Sequence, residues 1–124
     1  MIALALLAAF LASPPASLHV TQVISRGSPL PIEGAYSYIR VSRPDGSQVV
    51  SRRLTRGRPL ATTVQLAPGR YRLQSWQRTC DGNCGYLDRS SDRCARWFRV
   101  ERGRRLNARI TVTYGSGCRI TFRR

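Results

Sequence analysis

The chain has 124 residues, 21 basic and 6 acidic side chains and a formal net charge of +15. Once an apolar leader is set aside, that length suits one domain and is too short for two. Every basic side chain is an arginine, and the acids are Glu33, Asp45, Asp81, Asp88, Asp92 and Glu101. A charge this high speaks to solubility and non-specific association before it speaks to any particular contact.

In chain order, the first element is Met1 to Ala12, an almost unbroken apolar run, followed by the small, proline-rich stretch Ser13 to Ser17. The pair matches the apolar region and cleavage zone of a secretory signal peptide. The run stops well short of the roughly 20 apolar residues that a membrane-crossing helix needs. No arginine precedes it, and cleavage after Ala12, Ala16 or Ser17 stays open. The leader is assigned to residues 1–17 and the domain to residues 18–124. Hydrophobicity alone also allows a buried strand or core helix over the same run. No cysteine stands directly after the leader, so a lipid anchor is not expected.

Beyond the leader the pattern is strands and turns. Leu18–Ile24 and Ala35–Val41 carry β-branched and aromatic residues, with Gly27, Pro29, Pro31 and Gly34 marking a loop between them. Pro44-Asp45-Gly46 predicts a hairpin turn into Ser47–Leu54. A break at Gly57–Pro59 precedes Ala61–Leu66, and Pro68-Gly69 precedes a long strand from Arg70 to about Thr79. After a cysteine-rich loop come Ala95–Val100, Leu106–Tyr114 and Cys118–Phe122, separated by turns at Glu101–Arg105 and Gly115–Gly117. Seven to eight short strands at this spacing predict an all-β, antiparallel, Ig-like sandwich preceded by a signal helix.

The string Leu66-Ala67-Pro68-Gly69-Arg70-Tyr71-Arg72-Leu73, together with the Gly34-Ala35 strand start and the Pro-Asp-Gly turn, resembles the prealbumin-like (carboxypeptidase-regulatory-like) sandwiches. Those share a Pro-Gly-x-Tyr-x-Leu strand start: Pro-Gly makes a tight turn, and Tyr71 and Leu73 then point to one face. The Cys80-Asp81-Gly82-Asn83-Cys84 loop resembles that of small exported actinobacterial proteins. The resemblance implies a fold and little about activity.

That topology brings Cys80, Cys84, Cys94 and Cys118 to one pole, which predicts a disulfide-stapled end in an oxidising compartment. Three connectivities are possible. Cys80 with Cys94 and Cys84 with Cys118 is favoured; Cys80 with Cys84 and Cys94 with Cys118 is close behind. A closed loop of this size contributes about 3 kcal/mol in the chain-entropy picture. The C-x3-C spacing, then nine and twenty-three residues, lacks the paired knuckles of a zinc site. Asp81, Asn83, Asp88 and Asp92 lack the spacing of an EF-hand. No cofactor or metal is expected.

Catalysis has little support. His19 is the sole histidine, no G-x-S-x-G or H-E-x-x-H occurs, and Asp88 and Asp92 alternate with Arg89 and Arg93 as surface ion pairs would. The chain is expected not to be an enzyme. Alternation places Ile110, Val112, Ile120 and Phe122 inward, and Arg109, Thr111, Thr113, Arg119, Thr121 and Arg123 outward. Arg70, Arg72, Trp76 and Arg78 likewise share one face. Arg70, Arg72, Trp76, Arg78, Arg109, Arg119 and Arg123 are therefore candidate polyanion-binding residues, the guanidinium groups meeting anions while a ring stacks. Against this, Trp76 and Trp97 are expected chiefly as core residues, and the arginine excess equally suits a GC-rich genome and a solvated surface.

The expected function is that of a secreted, strongly basic, non-catalytic sandwich with a structural or binding role at or outside the cell envelope. It would be monomeric, with no integral membrane segment after processing. Two alternatives are an arginine-rich effector acting on anionic membrane or nucleic acid, and an accessory module of an envelope enzyme. Its partners are unknown: anionic envelope polymers or a protein would fit, with non-specific polyanion adhesion throughout.

Overall fold

The computed structural model describes residues 15–25, 34–54, 60–80, 87 and 89–124. The leader before residue 15, the expected loop from Gly27, the Gly57–Pro59 break, Cys84, the Asp81–Asn83 turn and Asp88 lie outside them. Eight strands form: β1 (Ala16–Ile24), β2 (Gly34–Ser42), β3 (Gln48–Leu54), β4 (Leu60–Leu66), β5 (Gly69–Cys80), β6 (Ser91–Val100), β7 (Arg105–Thr113) and β8 (Gly117–Arg123). They build two four-stranded sheets, ordered β4-β1-β7-β8 and β3-β2-β5-β6. Period-two alternation drives the packing of these sheets face to face. Leu18, Val20, Ile110 and Val112 bury from one sheet, Ile39, Val41, Leu73 and Phe98 from the other. Each fully buried aliphatic side chain here contributes roughly 1.5–3 kcal/mol. No helix long and apolar enough to cross a membrane occurs among the described residues.

Two features depart from the sequence expectation. β1 lies parallel to β7 while every other pair is antiparallel, because alternation fixes which face a residue takes and not the direction of its neighbour. β6 begins at Ser91 rather than Ala95, since the polar Ser91-Asp92-Arg93 stretch carries no alternation signal. Its ladder with β5 shifts register between Ser75 and Gln77, and Asp92 sits at φ 51°. The Asp92 carboxylate accepts the Gly117 N–H at 2.8 Å, tying the start of β6 to the start of β8. Burial and then the Asp92 charge push the phenol of Tyr114, in the adjoining turn, above its usual pKa.

Turn chemistry follows the sequence closely. The Gly46 N–H donates to the Arg43 carbonyl at 2.9 Å, and Gly46 has φ +88°, the left-handed residue that a three-residue hairpin loop requires. Asp45 accepts the Ser47 N–H at 2.8 Å. The Ser47 hydroxyl first, and then that backbone N–H, hold the Asp45 carboxyl below its ordinary value of 3.8. Its contribution is therefore fully present above the unfolded-state pKa and is lost as pH falls through the depressed folded value. An NMR pH titration is expected to place Asp45 below 3.8, and a midpoint at or above that value would contradict the geometry. At the other Pro-Gly turn, the Tyr71 hydroxyl donates to the Ala67 carbonyl at 2.6 Å, a tyrosine-corner arrangement that fixes the start of β5.

The open sides of the sandwich are clasped by arginines on the inner faces of edge strands. Arg52 of β3 donates to the Thr62 hydroxyl and, at 3.4 Å, to the Thr63 carbonyl of β4. Arg96 of β6 donates to the Ile120 carbonyl of β8 at 2.9 Å and lies over the Phe122 ring. Inward-pointing charge of this kind blunts edges that would otherwise pair with another chain. Between the sheets, buried Gln22 donates to the Ser37 hydroxyl at 2.6 Å, which donates to Gln77 at 2.5 Å, so a polar thread crosses the apolar core.

Cys94 bonds to Cys118, with Cα atoms 5.4 Å apart, linking edge strands β6 and β8 of opposite sheets. This corrects the favoured pairing of Cys80 with Cys94 and Cys84 with Cys118. Register gives the reason: Cys94 stands opposite Ser75, five residues before Cys80 on β5. That separation is about 17 Å along a strand, against the roughly 7 Å of Cα separation that a disulfide tolerates.

Candidate polyanion-binding faces

Both outer faces of the sandwich are cationic, for one local reason: residues alternating with the buried set must point outward. On β5, Tyr71, Leu73, Ser75 and Gln77 are buried, so Arg70, Arg72, Gln74, Trp76 and Arg78 line the outside. On β2 the same parity puts Tyr36, Tyr38 and Arg40 outward, and on β6 it puts Trp97 and Arg99 outward, since Phe98 and Val100 are buried. The tryptophans are accordingly not core residues: Trp97 is 42% exposed and Trp76 half-buried on the outer surface.

The rings on this face are occupied by guanidinium groups. Arg40 lies 5.1 Å from the Trp76 ring centre, Arg53 4.6 Å from Tyr36, and Arg70 4.6 Å from Trp97. Trp76 also stacks in parallel on Tyr38, its register partner, with centres 5.6 Å apart. Each such contact is worth about 0.5–1 kcal/mol at an exposed site. The disturbed β5–β6 ladder opens a hollow of about 320 Å³ beside Arg72, Trp76, Arg93 and Cys94. Arg78 is half-buried and donates to the Leu87 carbonyl at 3.2 Å.

The opposite face, on the β4-β1-β7-β8 sheet, carries the other candidates. Arg109, Arg119 and Arg123 are exposed, standing opposite Thr121, Thr111 and Asn107 in the β7–β8 ladder. Arg109 and Arg123 border a hollow of about 150 Å³. Among the described residues no Phe, Tyr or Trp ring accompanies these three, and His19 on the same face hydrogen-bonds Thr63 at 2.8 Å through Nδ1. The seven candidates therefore divide between two faces on opposite sides of the sandwich, and the outward-pointing aromatic side chains among the described residues lie on one of them. Among the described residues one carboxylate–arginine pair occurs, Glu101 with Arg104 at 3.5 Å, and no described residue group could hold a metal ion.

Residue-level reading missed Tyr36, Tyr38, Arg40, Arg53 and Arg99. A signal was present in Tyr36-Ser37-Tyr38-Ile39-Arg40, where aromatic and basic side chains alternate with small and apolar ones. Its partners on β5 and β3 are set by pairing, which no single strand encodes.

No family model and no curated protein match the chain. Among solved structures, a candidate cell adhesion protein from Bacteroides ovatus superposes with a TM-score of 0.51 at 10% identity, over 90% of this chain and 44% of its own. The sugar-binding protein pneumolysin (TM-score 0.35, 12% identity, 88% of this chain and 23% of its own) and listeriolysin O (0.38, 9%, 90% and 22%) follow. The chain spans less than half the length of each. At such identity the first likeness is one of fold, a β-sandwich.

Proposed function

We propose that the chain is exported, that its leader is removed ahead of β1, and that the mature domain is a monomeric, non-catalytic binding module of prealbumin-like type at or outside the cell envelope. The observation that carries this reading is a disulfide-clasped sandwich with arginines on both outer strand faces and aromatic rings on one of them, and, among the described residues, no acidic side chain on the outer face of β3-β2-β5-β6. A disulfide suits an oxidising compartment. Pro68-Gly69 opening β5, with Tyr71 tethered back to Ala67, supports the prealbumin-like assignment. The arginine clasps on β3 and β6 support a monomer, because they occupy carbonyls on the neighbouring edges. The burial of Ala16 and its pairing with Leu66 support cleavage after Ala12; cleavage after Ala16 or Ser17 would remove a buried residue. The shared fold with a candidate adhesion protein bears on architecture alone.

Expression with a C-terminal tag, followed by mass measurement and peptide mapping of the exported fraction, tests the reading. The expected product begins upstream of Ala16 and yields Cys94 and Cys118 in one reducible peptide pair. A full-length chain retained in the cytoplasm with free thiols would sink it.

A further inference from the structure

On the outer face of the β3-β2-β5-β6 sheet, register arranges the arginines in a line. Arg53 stands opposite Tyr38, Arg40 opposite Gln74, Arg72 opposite Trp97, and Arg99 opposite Arg70. Moving one strand across and one same-face position along leads from Arg53 on β3 to Arg40 on β2, Arg72 on β5 and Arg99 on β6. Each strand supplies one arginine to this diagonal. Strand spacing and rise put successive members about 8 Å apart and the ends about 25 Å apart. The cation–π contacts lean along the opposite diagonal: Arg53 over Tyr36, Arg40 over Trp76 and Arg70 over Trp97 each reach the next strand towards β6 and one position back.

We propose that this diagonal is a docking track for a linear anionic polysaccharide bearing carboxylate or sulfate groups, laid obliquely across the four strands. Charge complementarity and spacing carry the inference. Of the four, Arg53 and Arg40 are settled on rings and lose less freedom when they bind, and the planar N–H fork of each arginine matches a carboxylate or sulfate. An extended glycan presents same-side acidic groups once every two sugars, a step comparable to that of the track. Single-stranded nucleic acid fits less well: its affinity for such surfaces draws on bases stacking against open aromatic faces, and here Tyr36, Trp76 and Trp97 already carry arginines. An anionic bilayer would use the arginines of either outer face alike. The choice of polymer rests on the exported-module reading, which brings such glycans within reach.

Binding of the purified full-length protein to polygalacturonate and to dextran sulfate is measured at physiological salt, beside a thymidine oligonucleotide and phosphatidylglycerol vesicles. The triple variants R53Q/R72Q/R99Q and R109Q/R119Q/R123Q remove equal charge from exposed positions on opposite faces. Glycan affinity is expected to fall about 100-fold in the first and less than about 3-fold in the second. R53K/R72K/R99K, which keeps the charge and loses the fork, is expected to lose about 10-fold. Equal losses in the two glutamine variants would reduce the track to bulk charge. Tighter binding of the oligonucleotide or the vesicles than of either glycan, or no glycan binding at all, would also overturn it. These measurements use purified protein, so their failure leaves the export reading standing, and a failure of export leaves them unaffected.

Discussion

Replacing Cys94 and Cys118 together with alanine is expected to lower the unfolding free energy by about 3 kcal/mol and the melting temperature by about 15 °C. The bridge spans 24 residues of sequence, so its loss restores a long closed loop of freedom to the unfolded chain. The native side of the balance shifts too. β6 and β8 are edge strands of different sheets, and the Arg96 hydrogen bond and the Phe98–Phe122 ring contact, with centres 5.5 Å apart, remain to hold them. Thermal unfolding of the oxidised wild type and the double alanine variant, followed by circular dichroism, provides the measurement. A shift below about 3 °C would mean that the arginine and aromatic contacts alone close this side.

Leu73→Ala is expected to cost about 3 kcal/mol. Leu73 is fully buried at the middle of β5, opposite Val41 on β2 and Arg96 on β6, where the surrounding strands cannot collapse into the space left by its isobutyl group. Its neighbour Gln74 points the other way and is half-exposed, so Gln74→Ala should stay within about 0.5 kcal/mol of the parent. Denaturant unfolding with unchanged slope distinguishes the two. Near-equal effects would mean that β5 does not keep the alternation on which both the core and the outer arginine face depend.

The same alternation explains why so much of the fold was legible beforehand. Leu106 to Tyr114 alternates cleanly, and Ile110 and Val112 are buried as their spacing predicts. Pro44-Asp45-Gly46 and Pro68-Gly69 mark turns through backbone chemistry confined to a few residues. Where no such pattern exists the reading failed, as at Ser91-Asp92-Arg93, which joins β6 through a displaced ladder and the Asp92 bond to Gly117. The tryptophans were misplaced for a related reason. Size and aromaticity suggested the core, but Trp97 sits between buried Phe98 and Arg96, whose guanidinium reaches across to β8, and Trp76 sits between buried Ser75 and Gln77. Parity outranks hydrophobicity where a strand has only one buried face.

By itself the sequence determined the strands, their turns, the inward and outward sets on β5, β7 and β8, and a cationic surface. Each is a short-range property, fixed by φ/ψ preferences and a two-residue period. Tertiary structure alone decided that β1 lies parallel to β7, that Cys94 meets Cys118 rather than Cys80, and that Arg53, Arg40, Arg72 and Arg99 fall on one diagonal. These depend on strand order and register, which are set by the packing of many residues distant in sequence and are written in no single segment.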